Sequence, residues 1–520
     1  MSAARNPQPF SATFSVRGRP AEVTDLFGKL CERLRAVGWK LTSSKRGRSP
    51  LRADTLTKGG QWLVATIATP PPHRISRTSE YELSVSGLVH DRIETHKIVA
   101  ALPFTPLEIE FLVHDMPLTA SVRERAPTWM TSLAVGPQPL AGHGAIFTIH
   151  HQTDFVLLLE VALQLGIERN LVTVIDKEYR YRFSHRVDAH VRSHLGIPVY
   201  RYSELDIGIS NHIRRIEAVR QATEAKSWTP SLVIDDGGYI LPRLHEAFDP
   251  FMGLFKGVVE QTKSGIWKLR PYEAEHKMPI FSVAESELKA TVEAHGVAQA
   301  ALTSLRRLLP HEKFDGRRAI VVGFGTIGEA LAELLRRQNI DVHVADSAAP
   351  KLVAAREHGF QVADDLAKLV ANVQPRYIFS CAEPGAVDRA ALACIHQDCA
   401  LISLTSRDLA FDKEALAELG EAENFGNVGT LYSRNDPACK VLLVADGFPV
   451  NFHFSESMPN QQSDLVMASL LAGAITLARA TPTWPPGNDV ERANAVLNEG
   501  TLLEDFLTLE PGIAPDSDGK

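Results

Sequence analysis

The sequence predicts an α/β protein built on at least one doubly wound parallel sheet, with a small α+β unit in front. Three observations predict it. An apolar run, Ala319 to Val322, reads as a strand and leads into Gly323, Gly325 and Gly328, spaced G-x-G-x-x-G. A helix with Leu331, Leu334 and Leu335 on one face follows, and a second strand, Val342 to Ala345, ends at Asp346. From about residue 140 to 300, apolar strands (GAIFTIH, LVTVI, IPVYRY, SLVIDD) alternate with helical stretches. Residues 11–105 combine strand-like alternation in FSATFSV, QWLVATIAT and YELSVSGLV with one amphipathic helix, Ala21 to Val37.

The glycine segment carries the most chemistry. Glycines at a strand-to-helix turn permit the tight bend and let backbone approach a pyrophosphate, whose charge meets the helix N-terminus. Asp346 follows Gly323 at close to the ~20-residue spacing of a ribose-binding acid. An acid there accepts from ribose hydroxyls and repels a 2′-phosphate, so NAD is favoured over NADP. This Rossmann-like unit takes Gly323, Gly325, Thr326, Ile327, Gly328 and Asp346 as cofactor-binding residues.

The other elements are plainer. Residues 1–10 are polar and read as loose. Lys45, Arg46, Arg48, Arg52 and Lys58 read as a solvated basic loop in the N-terminal unit. After the second strand come PRYIFSCAEPG, ALISL and KVLLVADGFPVNF, then an apolar helix over 463–479. Pro482, Pro485 and Pro486 interrupt the chain, and GIAPDSDGK reads as a flexible tail.

The bulk numbers exclude several classes. At 520 residues the chain exceeds one hydrophobic core, and 44% hydrophobic with 22% charged residues is ordinary for a globular protein. A formal net charge of −7 argues against general nucleic-acid binding. The five cysteines show no metal spacing and fit reduced thiols in a cytoplasmic protein, so no metal is expected. No signal peptide or membrane span is read.

Seven further segments stand in order around the glycine motif: Asp115-Met116-Pro117 with Arg123-Glu124-Arg125; Ile149-His150 with Glu160; Ile197 to Tyr200; LVIDDGG at 232–238; GVVEQTKSG at 257–265; Pro279 to Glu293; and LLVADGFPVN at 442–451. Together they resemble the S-adenosylhomocysteine hydrolase (adenosylhomocysteinase) family, from about Asp115 to Ala478. The resemblance implies an NAD-binding Rossmann domain (301–450) inserted in an α/β substrate domain (106–300 and 451–520), behind the unit at 1–105. It implies a small-molecule nucleoside substrate and a homo-oligomer.

It also implies a mechanism. The family oxidises a ribose 3′-hydroxyl with bound NAD, removes the acidified 4′ proton, expels the 5′ substituent, adds water and reduces the sugar again. His150 falls on the acid/base histidine beside the 5′ position, and Asp236 on its partner near C4′. Lys289 falls on the lysine at the 3′-hydroxyl, with Glu293 on one helix face four residues later. Gln261 falls on the ribose-holding position. Thr262, Lys263 and Ser264 fall on cofactor contacts, and Asn451 on the residue near the nicotinamide amide. On residues alone, His150 equally suits a core histidine, 235–238 an ordinary turn and Lys289–Glu293 a surface pair.

The departures from the family are as informative. Gln261 replaces a glutamate, Ala294 an asparagine, Val297 or Ala298 a cysteine, Gln152 a threonine beside the base and Met458 a histidine near it. Arg407 stands for a histidine facing the 5′ tail, and the Lys/Tyr tail that caps NAD in a neighbouring subunit has no match. The expectation is therefore an adenosylhomocysteinase-like enzyme acting on a nucleoside- or thioether-type substrate by transient 3′-oxidation. A non-catalytic NAD- or nucleotide-binding regulatory homologue competes with it, as does a plain NAD dehydrogenase.

Overall fold

The computed structural model describes residues 7–47, 51–68, 80–133, 135–223, 228–275, 278–405, 409–435, 438–479 and 484–509. Arg48, Arg407 and the expected flexible tail lie outside this set. Three sheets organise the described residues.

The N-terminal sheet has five antiparallel strands. Its first strand, Gln8–Arg17, pairs along its whole length with Glu80–Val89, so residues 8–10 are ordered strand rather than loose chain. The helix Pro20–Ala36 lays Val23, Leu26, Phe27, Leu30 and Leu34 on the sheet. The expected basic loop is a hairpin instead. Lys45 and Arg46 lie on the strand Lys40–Arg46, and Arg52 and Lys58 on Arg52–Lys58. The first is an edge strand exposed on every residue, so its sequence shows no apolar alternation to betray it. The basic groups are not all free: Arg52 pairs with the buried Asp54 at 2.7 Å, and Lys58 donates to Val37 O.

The second sheet is parallel throughout, with seven strands in the order Gly487–Asn488, Pro279–Ser282, Phe255–Glu260, Ser231–Asp235, Ala145–Ile149, Val172–Asp176, Val199–Arg201. The chain leaves this sheet after Pro279–Ser282 through the long helix Glu287–Leu308 and returns for the edge strand Gly487–Asn488. Between the two it forms the third sheet. Six parallel strands there run in the order Gln361–Ala363, Asp341–Ala345, Arg318–Val322, Tyr377–Ser380, Cys399–Ser403, Ala438–Val444, the 3-2-1-4-5-6 order of a doubly wound fold. Two antiparallel strands extend its far edge.

The helix Asn460–Arg479 is buried along most of its length because it packs against the second sheet and helices on its other sides. Its Asp464 receives Leu118 N at 2.9 Å and Thr119 N at 2.7 Å. That carboxylate caps the turn opened by Met116-Pro117, so the early Asp-Met-Pro segment is a docking point for this distant helix. No helix among the described residues is long and apolar enough to cross a membrane.

Candidate active site

In the second sheet the strand order reverses between Ala145–Ile149 and Ser231–Asp235. A doubly wound sheet opens a crevice at such a point, outside the carboxyl ends of its strands. His150 follows the first strand, Asp236 the second, Lys177 the neighbouring Val172–Asp176 and Gln261 the neighbouring Phe255–Glu260. The ladder continues one step past the strands: Asp236 N donates to Thr148 O and Gln261 N to Asp235 O, both at 2.8 Å. Residues distant in sequence thus reach one rim.

The centre of this rim is a buried array. Lys177 Nζ lies 2.9 Å from Asp236 Oδ1 and 2.9 Å from His150 Nε2. An ammonium only donates, so His150 Nε2 accepts and the ring proton is assigned to Nδ1, facing the Tyr181 hydroxyl. The approach of His150 Nε2 to Asp236 Oδ2, 3.3 Å, is therefore a neutral imidazole beside a carboxylate. Burial first, then the Lys177 charge, holds the His150 pKa well below its ordinary value. Burial opposes ionisation of Asp236, but the Lys177 charge outweighs it and holds the carboxyl below its usual range. Burial likewise opposes the Lys177 charge, and Asp236 more than restores it. Phe452 stacks on the imidazole with ring centroids 3.9 Å apart.

A second group faces this array. Ser286 caps the helix Glu287–Leu308 and starts it so that Lys289 and Glu293 share a face, Nζ to Oε2 3.2 Å. Lys289 also donates to Gln261 O. Its charge lowers the pKa of both His150 and Asp236, and its bond to Gln261 O holds it at the same rim. Gln261 therefore serves through its carbonyl, while its Oε1 is buried with no partner among the described residues.

The turn 235–238 is held from below by Glu260. Its carboxyl accepts from Gly237 N at 3.0 Å, Gly238 N at 3.1 Å, Thr262 N at 2.9 Å and Thr262 Oγ1 at 2.9 Å. Gly265 makes room for it, since a Cβ there would lie 2.1 Å from Glu260 Oε1. Burial pushes the Asp235 carboxyl up, and burial followed by the Asp235 charge pushes the Glu260 carboxyl up. Thr262 caps the helix Lys263–Leu269; Lys263 is exposed on its first turn, and Ser264 sits within reach of the Thr262 hydroxyl at 3.2 Å.

The glycine loop of the third sheet has the form a dinucleotide requires. Gly323 adopts φ +91°, and a Cβ on Gly328 would lie 1.9 Å from Gly323 O, so strand and helix meet without side chains between them. Gly325 caps the helix Thr326–Arg337, and a Cβ there would meet nothing within 4 Å, which leaves open space at a helix N-terminus. Thr326 and Ile327 begin that helix. Asp346, at the end of Asp341–Ala345, accepts from Phe324 N at 2.7 Å and Ala348 N at 2.8 Å; one lone-pair site per oxygen remains for a ligand hydroxyl. Asn451 Oδ1 is buried and without a partner among the described residues, as is Gln152 Nε2.

Sequence reasoning missed Lys177, the tyrosines Tyr179 and Tyr181, and the carboxyls Asp154 and Glu456. The one available signal for Lys177 was its place directly after the apolar strand LVTVID. Thr153 donates from N and Oγ1 to Glu456 Oε2, at 3.0 and 2.9 Å, which ties the start of one helix to the approach of another. Burial, then its charged neighbours, raises Asp154 to about 6 and Glu456 to about 7. Met458 packs in the apolar core that flanks the third sheet. A cavity of about 1280 Å³ opens beside the array. Tyr179, Tyr181 and Glu456 line one wall, and Phe14, Arg17 and His96 of the N-terminal unit line the other.

No family model matches the chain. Its relatives include an adenosylhomocysteinase from Halobacterium salinarum, 23% identical over 49% of this chain and 56% of that protein. The chain thus spans about half the length of that relative. An S-inosyl-L-homocysteine hydrolase from Methanopyrus kandleri is 24% identical over 78% of this chain and 92% of that protein. Among solved structures, a 2-hydroxyacid dehydrogenase from Ketogulonicigenium vulgare aligns over 67% of this chain and 98% of that one, with 15% identity and a TM-score of 0.38. In sequence the chain is thus similar to proteins named adenosylhomocysteinase and S-inosyl-L-homocysteine hydrolase.

Proposed function

We propose that this chain is an NAD-dependent enzyme that acts on a nucleoside- or thioether-type substrate by transient 3′-oxidation, with elimination and addition across C4′–C5′. The observation that carries the reading is the Lys177–Asp236–His150 array at the strand-order reversal, with Lys289 and Glu293 across from it. When bound, NAD supplies a reversible hydride acceptor. The open Gly325 turn and Asp346 would hold it, and the acid favours it over NADP.

The residues divide the proton work. Lys289 donates toward the 3′-hydroxyl oxygen and Glu293 accepts its proton, an arrangement held by the Gln261 carbonyl. Ionised Asp236 is the acceptor near C4′, and neutral His150, with the Lys177 ammonium as donor at its Nε2, serves the departing 5′ group. One array therefore contains both a base and an acid, as elimination and re-addition need. Tyr181 and Phe452 fix the imidazole plane.

The base-recognition end supports a substrate other than S-adenosylhomocysteine. Gln152 stands for a threonine and Met458 for a histidine of the resembled family, so the polar groups offered to a base differ, and a buried mismatch costs roughly 1–3 kcal/mol per unpaired group. The relative covered over 92% of its length is named for an inosyl substrate.

The test is absorbance at the reduced-nicotinamide band on mixing NAD-loaded protein with adenosine, inosine and their homocysteine thioethers. A rise with one of them supports the reading and identifies the sugar ligand. No rise with any, while NAD is shown to be bound, overturns it in favour of a regulatory NAD-binding homologue.

A further inference from the structure

We propose that Glu160, His190 and His194 form a binding site for one divalent transition ion of the zinc class, separate from the catalytic rim. Glu160 lies on the helix Thr153–Gln164, and the two histidines on the turn His190–His194. That turn is wound wider than an α-helix, with Leu195 N donating to His190 O at 2.9 Å across five residues. Such π-type turns are uncommon and recur at functional sites. One ligand atom from each residue falls within 4.8 Å of the other two. Glu160 Oε1 and His190 Nε2 are 2.8 Å apart, and the two imidazole centroids 4.7 Å.

A glutamate–histidine hydrogen bond alone would explain the first pair. It leaves the second imidazole, brought onto the same point by the turn, without a purpose. His190 Nδ1 is buried with no partner among the described residues, so the ring can carry its proton there and free Nε2 as a ligand. Two imidazoles and one carboxylate are borderline donors, suited to Zn²⁺, Co²⁺ or Fe²⁺ rather than to Ca²⁺ or Mg²⁺. His194 is exposed, so water can complete the coordination. The ion would staple the helix that begins beside Gln152 and Asp154 to the segment that carries Arg186.

The test uses the full chain after dialysis against a chelator. Titration with Co²⁺ is followed by its visible absorption, with Zn²⁺ as competitor and Mg²⁺ as control. One equivalent of Co²⁺ displaced by Zn²⁺ and not by Mg²⁺ is expected. H194A and E160Q should each weaken it by more than about tenfold, since losing a ligand costs at least what losing a supporting partner does. H194A alters an exposed side chain, so its melting temperature without metal should match that of the unsubstituted chain. No absorption above that of aqueous Co²⁺, or binding that survives H194A and E160Q, would overturn the proposal.

Discussion

Lys177 is the residue on which the candidate site turns. It is a buried cation that satisfies a buried carboxylate and sets the tautomer of a buried imidazole. Removing it leaves Asp236 charged and unpartnered, which costs about 3–5 kcal/mol for a broken buried pair. K177M should therefore lower the melting temperature and reduce turnover by about 10²–10⁴-fold. K177M/D236N should regain stability without regaining turnover, and thermal melting beside the nicotinamide assay checks both. The carboxyls Asp154 and Glu456 make a second prediction. Their folded pKa values, about 6 and about 7, are raised from 3.8 and 4.5. Groups raised in this way contribute stability that is complete below the unfolded values and is lost as pH rises through the folded ones. The melting temperature of the chain should fall between about pH 4 and about pH 7, and E456Q should flatten that fall. An unchanged profile in E456Q would show Glu456 ionised throughout.

At the scale of elements, the glycine turn separates folding from binding. A Cβ on Gly328 collides with the Gly323 carbonyl, whereas a Cβ on Gly325 enters open space at the helix N-terminus. G328A should lose both melting temperature and dinucleotide binding. G325A should melt like the unsubstituted chain, yet bind NAD at least about tenfold more weakly, because its methyl takes the space a pyrophosphate needs. Fluorescence titration with NADH alongside thermal melting distinguishes the two. The strand-order reversal has the same kind of consequence. His150, Lys177, Asp236 and Gln261 each follow a separate strand, so a register slip in any one would remove its side chain from the rim.

At the scale of the whole molecule, a buried guanidinium ties the N-terminal unit to the elements beside the second sheet. Arg186 is buried, pairs with both oxygens of Glu108 at 2.9 and 2.6 Å and donates to Leu102 O and Pro103 O. It also lies 4.4 Å over the Phe104 ring. Glu108 in turn receives Arg17 N from the first strand of the N-terminal sheet. R186A should cost about 3–5 kcal/mol locally, by leaving Glu108 without its buried partner. Limited proteolysis should then cut sooner near residues 100–105. The N-terminal unit also forms a wall of the cavity beside the array, so R186A should raise KM for the substrate more than it lowers kcat.

Local pattern alone determined much of the architecture. The alternation in residues 11–105, the apolar strands between 140 and 300 and the strand–glycine–helix–strand run before Asp346 each follow from periodicity within a short window. The segments carrying His150, Asp236, Lys289 and Asn451 stood out only through their resemblance to a known family, since each motif is a compact run of residues. The tertiary structure decided what those residues touch. Lys177 is ordinary in sequence and central in space, because parallel register carries the end of its strand to the rim beside His150. The exposed edge strand Lys40–Arg46 has no apolar alternation, and only its pairing with Arg52–Lys58 makes it a strand. Asp464 caps a turn from the far end of the chain, and His190 meets Glu160 from another helix. Each of these contacts rests on long-range packing, and the free energy of such packing belongs to residues that no short window contains together.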